Sequence, residues 1–110
     1  MKEPSEHNEQ VALVRKLRSM GIFVFAIPSG GLRDAITASR LKDEGAMPGI
    51  PDLCLILNNG LIVWLEMKKR KGGTVSPAQK LAHSRMIGLG QIVLVTKGAK
   101  DAMQQLEPYL

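Results

Sequence analysis

Two short apolar segments, residues 53–57 and 61–65, are separated by Asn58-Asn59-Gly60 and carry charges only at their outer ends. The turn residues between two β-prone runs predict a β-hairpin. Both faces of both strands are apolar, so the sheet should be covered by helices on two sides. Asp52 precedes the first segment, and Glu66 and Lys68 close the second. Packing explains the leucines and valines of these strands but not the charges. A buried carboxylate costs several kcal/mol unless compensated, and a divalent cation is a common compensation.

The hairpin admits two registers with opposite consequences. A two-residue turn at Asn59-Gly60 pairs Asn58 with Leu61 and sets Asp52 opposite Met67. Asp52 and Glu66 then point to opposite faces, because side chains alternate along a strand. A three-residue loop, with Gly60 left-handed, pairs Leu57 with Leu61 and Asp52 with Glu66. Directly opposed side chains lie ~5 Å apart at Cβ. A site that uses both carboxylates requires the three-residue loop or a bulge of equal effect.

Around the hairpin, Leu13, Val14, Leu17 and Met20 recur at helical spacing from Ser5 to Gly21. A β-prone run over 22–27 stops at Pro28-Ser29-Gly30-Gly31. A short helix is expected over 34–44, and 45–51, with two glycines and two prolines, is a shaped loop. Ser76 caps a helix with Pro77 in its first position, a strong start signal. A strand over 91–95 and a helix over 99–106 complete an order α-β-(α)-β-β-α-β-α. The expected fold class is α/β, a mixed central sheet flanked by helices.

The chain has 110 residues, of which 45% are hydrophobic, which fits one domain with a real core and excludes disorder. No apolar run reaches the ~18 residues of a membrane span, and the polar start is no signal peptide. A soluble, cytoplasmic protein with no membrane partner is expected. Cys54, the single cysteine, reads as a core residue, and two histidines, His7 and His83, are too few for a histidine-rich metal site. The net charge of +5 favours a polyanionic partner. With only four aromatic residues, backbone contact to duplex DNA fits better than stacking on single strands.

The chemistry converges on one end of the hairpin. Glu66 and Lys68 share a strand face, and Asp52 joins them in the three-residue register. Asp52, Glu66 and the carbonyl of Met67 are hard oxygen donors suited to Mg2+ or Mn2+. Such an ion polarises a phosphodiester and lowers the pKa of a water, while Lys68 orients that water or neutralises the transition state. The bland counterpart is a Lys–Glu ion pair at a strand end with Asp52 capping a turn. Each half of the motif is common alone; the two together, in this order of elements, favour the site.

The pieces SEHNEQVALVRKLR, IPSGG, GIPDL, WLEMK, GGTVSPAQ and EPYL resemble the virus-type replication-repair nuclease (VRR-NUC) family of the PD-(D/E)xK nucleases. The resemblance covers nearly the whole chain. It implies a restriction-endonuclease-like αβββαβ core and a metal-dependent DNA endonuclease. The family is similar to Holliday-junction resolvases, so branched duplex DNA in phage replication, recombination and repair is the implied substrate, and a homodimer the implied assembly. Carried over by motif, Asp52 and Glu66 bind Mg2+ (or Mn2+), Lys68 is catalytic, and Gln79 supports the site from its helix.

The family also uses an acid on the first helix. Glu6 shares a face with Gln10, Leu13 and Leu17 and is the first choice, Glu9 the second; the aligned position can also be Gln10. A solvated first-turn glutamate, favoured by the helix dipole, is the alternative for both. Lys69, Arg70 and Lys71 are expected to contact DNA phosphates, with Ser29 shaping the pocket and Arg33, Arg40 and Lys42 extending the surface. His83 is expected at the surface or near DNA rather than as a ligand. The alternative function is a nuclease-fold DNA-binding module without efficient catalysis, which metal-dependent nicking distinguishes from the enzyme.

Overall fold

Helix α1 (Glu6–Ser19) begins where expected, with Ser5 accepting a hydrogen bond from the Asn8 amide at its N-cap. The structure, a computed structural model, describes residues 5–28 and 35–110. After α1 come β1 (Phe23–Ala26), α2 (Ala35–Asp43), β2 (Leu53–Ile56) and β3 (Ile62–Lys68). They are followed by α3 (Pro77–Gly88), β4 (Ile92–Lys97), α4 (Ala99–Leu106) and a 3-10 turn over Glu107–Tyr109. Among the described residues no helix is long and apolar enough to cross a membrane.

The four strands form one mixed sheet in the order β1-β2-β3-β4. The first two pairings are antiparallel and β3 runs parallel to β4. The β3–α3–β4 connection supplies the helix that a parallel pair requires. This is an α/β, restriction-endonuclease-like architecture.

Alternation divides the sheet into two chemically distinct faces. Leu53, Leu55, Leu57, Val63, Leu65 and Met67 point to one side and are buried. They form the core with Leu13 and Leu17 of α1 and Ala102 and Leu106 of α4. The opposite face carries Phe23, Phe25, Cys54, Ile56, Ile62, Trp64, Glu66 and Lys68, as the strand registers require. Cys54 is buried there, which pushes its thiol pKa up.

The expectation that helices cover both faces holds for only one of them. α3 lies over the β3–β4 half of the second face, while Phe23 remains 63%, Ile56 40% and Ile62 38% exposed. The reason is connectivity: the crossover from β3 to β4 carries a helix over those two strands, and no such crossover spans β1 and β2. α2 buries none of its own residues.

Within α1 the inward face is Glu9, Leu13 and Leu17, not the face led by Glu6. Glu9 is 4% exposed, and both carboxylate oxygens are engaged. Arg70 Nε donates to Oε1 at 2.6 Å, and the Ala99 amide, the first in α4, donates to Oε2 at 2.7 Å. A carboxylate at a helix N-terminus satisfies an amide that has no partner within the helix and complements the helix dipole. It does so in place of a side-chain cap, since α4 begins after Gly98. The Ala99 amide, followed by Arg70, holds the Glu9 carboxyl below its ordinary value near 4.5, against the opposing effect of burial.

Removing the Glu9 charge therefore loosens the junction of α1, α4 and the loop after β3. Glu9→Gln is expected to cost about 1–3 kcal/mol of unfolding free energy at pH 7 by urea denaturation. A lowered folded pKa gives stability above the ordinary carboxylate range that is lost as pH falls through the folded value. The difference between wild type and Glu9→Gln should accordingly shrink on acidification below about 4. An equal difference at pH 7 and pH 3 would remove the ionic part of this account.

Candidate active site

The reversal between β2 and β3 is the three-residue form. The Leu57 amide donates to the Leu61 carbonyl at 2.9 Å, and Gly60, with φ +83°, donates to the Leu57 carbonyl at 2.9 Å. The ladder pairs Leu53 with Leu65 and Cys54 with Trp64, so one further step sets Asp52 opposite Glu66. The two carboxyls are close enough that Asp52 contributes to raising the Glu66 pKa. Asp52 Oδ2 accepts the Met67 amide at 2.8 Å. Pro51 is fully buried, and the Asp52 carbonyl accepts the Ile27 amide at 2.8 Å, which fixes the backbone that presents the aspartate.

Glu66 is 1% exposed. Burial, and then the hydrogen bond and charge of Asp52, push its pKa up to about 9. Lys68 opposes the shift, and Glu6 adds to it. Of the first-helix acids, Glu6 is thus the one whose charge reaches Glu66. Glu9 is turned to Arg70 and the Ala99 amide, and the structure does not bring its carboxylate to Asp52 and Glu66.

Helix α3 supplies the other half of the arrangement. Ser76 and Gln79 form a capping box, with the Gln79 amide donating to Ser76 Oγ and the Ser76 amide donating to Gln79 Oε1 at 2.9 Å. The same Oε1 accepts Lys68 Nζ at 2.8 Å. One turn further along, His83 Nε2 lies 3.2 Å from Glu66 Oε1. His83 is buried, not at the surface as expected from the sequence. Burial lowers its pKa and Lys68 adds to that, while a hydrogen bond to the Gly49 backbone and the charge of Asp52 oppose it.

The glycine of the Gly49-Ile50-Pro51-Asp52 stretch has a steric reason. It has φ +86°, and a Cβ there would stand 2.3 Å from the Ala78 carbonyl oxygen. Only glycine permits both the backbone conformation and this approach. The loop that presents Asp52 and the first turn of α3 therefore interlock.

The remaining candidates divide. Met67 has its side chain in the core, where Thr96 Oγ1 donates to its sulfur, and only its backbone lies beside Asp52. Lys69 and Lys71 are exposed on the loop after β3, whereas Arg70 is tied to Glu9. Arg70 thus anchors the loop, a role not anticipated from its basic run. Ser29 and Arg33 lie outside the described residues. Arg40 and Lys42 are exposed on α2. Sequence reasoning missed Lys97, the register partner of Lys68 on the same sheet face, and Thr96, whose Oγ1 donates to the Glu66 carbonyl at 3.1 Å.

The arrangement fits a hard divalent cation. Two carboxyls lie side by side, and burial followed by the neighbouring Asp52 raises the pKa of Glu66, a balance that a cation would reverse. Mg2+ is commonly bound through one or two carboxylates with water completing its shell. No group of three or more His, Cys, Asp and Glu side chains surrounds a common point among the described residues. A cleft of about 900 Å3 is lined by Ile27, Pro28, Leu41, Met47 and Gly49 among others and includes neither carboxylate. The acids stand on the sheet face that α3 partly covers.

No family model and no curated protein matches the sequence. Solved structures do. One, described as a VRR_NUC domain protein, superposes with a TM-score of 0.78 over 100% of this chain and 91% of its own length, at 20% identity. Another, described as a VRR_NUC domain, gives a TM-score of 0.73 over 97% of this chain and 100% of its own, at 24% identity. The chain has the VRR_NUC domain fold. The expected αβββαβ core of the VRR_NUC fold is thereby met in structure.

Glu66 predicts a pH effect on the metal-free protein. Its folded pKa lies above its unfolded value, so its contribution is complete below about 4.5 and lost as pH rises towards 9. Between about pH 7.5 and 8.5 His83 is mostly neutral in both states and the Cys54 thiol mostly protonated, and comparison with Glu66→Gln isolates Glu66. In EDTA, stability should fall over this range by at most about 1.4 kcal/mol per pH unit, the limit for one proton. The same denaturation series on Glu66→Gln should be flatter. Parallel curves for the two proteins would show that the carboxyl is ionised when folded.

Proposed function

We propose that this protein is a metal-dependent DNA endonuclease of the VRR-NUC type, acting on branched duplex DNA such as four-way junctions. The observation that carries the reading is the convergence of Asp52 and Glu66 across the hairpin, with Lys68 two residues on along the same face. The fold shared with VRR_NUC domains supports it. The net charge of +5, and the proximity of Lys68 and Lys97 on adjacent strands, support an anionic polymer as substrate.

In this reading Asp52 and Glu66, with the Met67 carbonyl beside them, hold Mg2+ or Mn2+. The chemistry such an ion supplies is a polarised phosphodiester and a lowered pKa for the attacking water. Lys68 acts where negative charge develops on the phosphoryl oxygens. Gln79 accepts one proton of the Lys68 ammonium and so directs the others, leaving the charge on the side chain intact. Glu6 adds negative charge to the site from α1.

Asp52→Asn, Glu66→Gln and Lys68→Ala should each lower cleavage of labelled four-way DNA by roughly a hundredfold or more. Their folds and most of their DNA binding should persist. Wild-type cutting should require Mg2+ or Mn2+ and stop in EDTA. Full activity in any one variant would remove that residue from the mechanism, and cutting in EDTA would remove the metal.

The homodimer belongs to this proposal. One site cuts one strand, and a two-fold pair of sites matches the approximate symmetry of a four-way junction; light scattering with and without junction DNA tests it. The loop after β3 supplies backbone contacts through Lys69 and Lys71, while Arg70 holds the loop to α1. Replacing both lysines with alanine should weaken binding to all DNA shapes and reduce the salt slope by about 1 per lysine. An unchanged slope would make the loop a solvated one.

A further inference from the structure

Helix α3 and strand β3 are matched in repeat. Four residues of a helix advance ~6.0 Å, and two residues of a strand ~6.6 Å. Gln79 and His83, four apart on α3, therefore meet Lys68 and Glu66, two apart on β3. The same helix face serves both residues, the glutamine at Lys68 and the histidine at Glu66.

His83 has three features that go beyond filling space. It is 6% exposed, its Nε2 stands 3.2 Å from Glu66 Oε1, and it stands on the helix whose first turn is packed backbone to backbone against Gly49. It thus joins the loop that presents Asp52 to the strand that presents Glu66. A buried carboxylate has several rotamers open to it, and only those directed at Asp52 make a common binding point. A partner that is itself anchored on a second segment selects among them.

We propose that His83 is a positioning residue for Glu66: it fixes one carboxylate oxygen so that the group converges with Asp52 on a divalent cation. This rests on the reading of Asp52 and Glu66 as the metal-holding pair. Hydrogen-bonded partners of metal ligands contribute to affinity through orientation, commonly 10–100-fold. A histidine that only packs α3 against the sheet would be replaceable by an apolar residue of similar bulk with no effect on metal.

The test combines two measurements on His83→Leu and His83→Gln, the latter keeping an amide that can reach Glu66. Titration of metal-depleted protein with Mn2+ should show affinity about 10–100-fold weaker in His83→Leu, largely restored in His83→Gln. Denaturation in EDTA should show non-additive effects of His83→Leu and Glu66→Gln, because the two side chains share one contact. If His83→Leu does not fold, His83→Asn, with its shorter amide, takes its place under the same outcomes. Wild-type Mn2+ affinity in His83→Leu, or additive effects in EDTA, overturns the proposal. A wild-type protein that binds no Mn2+ but shows non-additivity in EDTA removes the metal reading and leaves the positioning of Glu66 by His83 standing.

Discussion

Because side chains alternate along a strand, the conformation of Gly60 decides which sheet face Asp52 shares with its neighbours. At φ +83° it closes a three-residue reversal, pairs Leu57 with Leu61 and so carries Asp52 to Glu66 at the far end of the ladder. A shift of one residue would place the aspartate among the core leucines and leave Glu66 alone. The hairpin tip thus controls chemistry five pairs away, through a ladder whose inner-face residues Leu53, Leu55, Val63 and Leu65 are fully buried. That burial makes the register costly to change: a slip of β2 would turn Leu53 and Leu55 out of the core together.

The second constraint is the contact between the Gly49 loop and the first turn of α3. Backbone meets backbone there, with no room for a Cβ, and the capping box of Ser76 and Gln79 sets the direction of the helix. With α3 so directed, its polar residues descend onto β3 with Gln79 over Lys68 and His83 over Glu66. Stability and chemistry are coupled at this point, because the glutamine oxygen that completes the helix cap also holds the lysine ammonium.

Much of the fold was legible because periodicity and caps are local signals. The four strands, the Ser76–Pro77 helix start and the helix over 99–106 lie close to where the sequence predicts them. So do Asp52, Glu66, Lys68 and Gln79, whose spacing expresses strand alternation and helix capping. The partners of Glu9 were not legible because apolar residues alone do not fix the rotation of α1. The structure turns Glu9 inward to an amide that lies 90 residues away in sequence. Arg70 was read as part of a basic run because a run of like charges carries no sign of which member has a buried partner. His83 did carry a signal: its spacing from Gln79 matches the spacing of Glu66 from Lys68.

The sequence by itself determined the hairpin, the residues at its charged ends and the capped helix that follows. Each depends on neighbours within a few positions, where turn geometry, alternation and capping act directly. Only the tertiary structure decided between the two hairpin registers, which the strand pairing and the buried face resolve together. It alone showed that α1 reaches α4 through Glu9, and that α3 leaves Phe23, Ile56 and Ile62 uncovered. These depend on how separate elements stack. The stacking is set by the summed burial of the core and the handful of backbone approaches that it permits, and no local pattern in the chain records either.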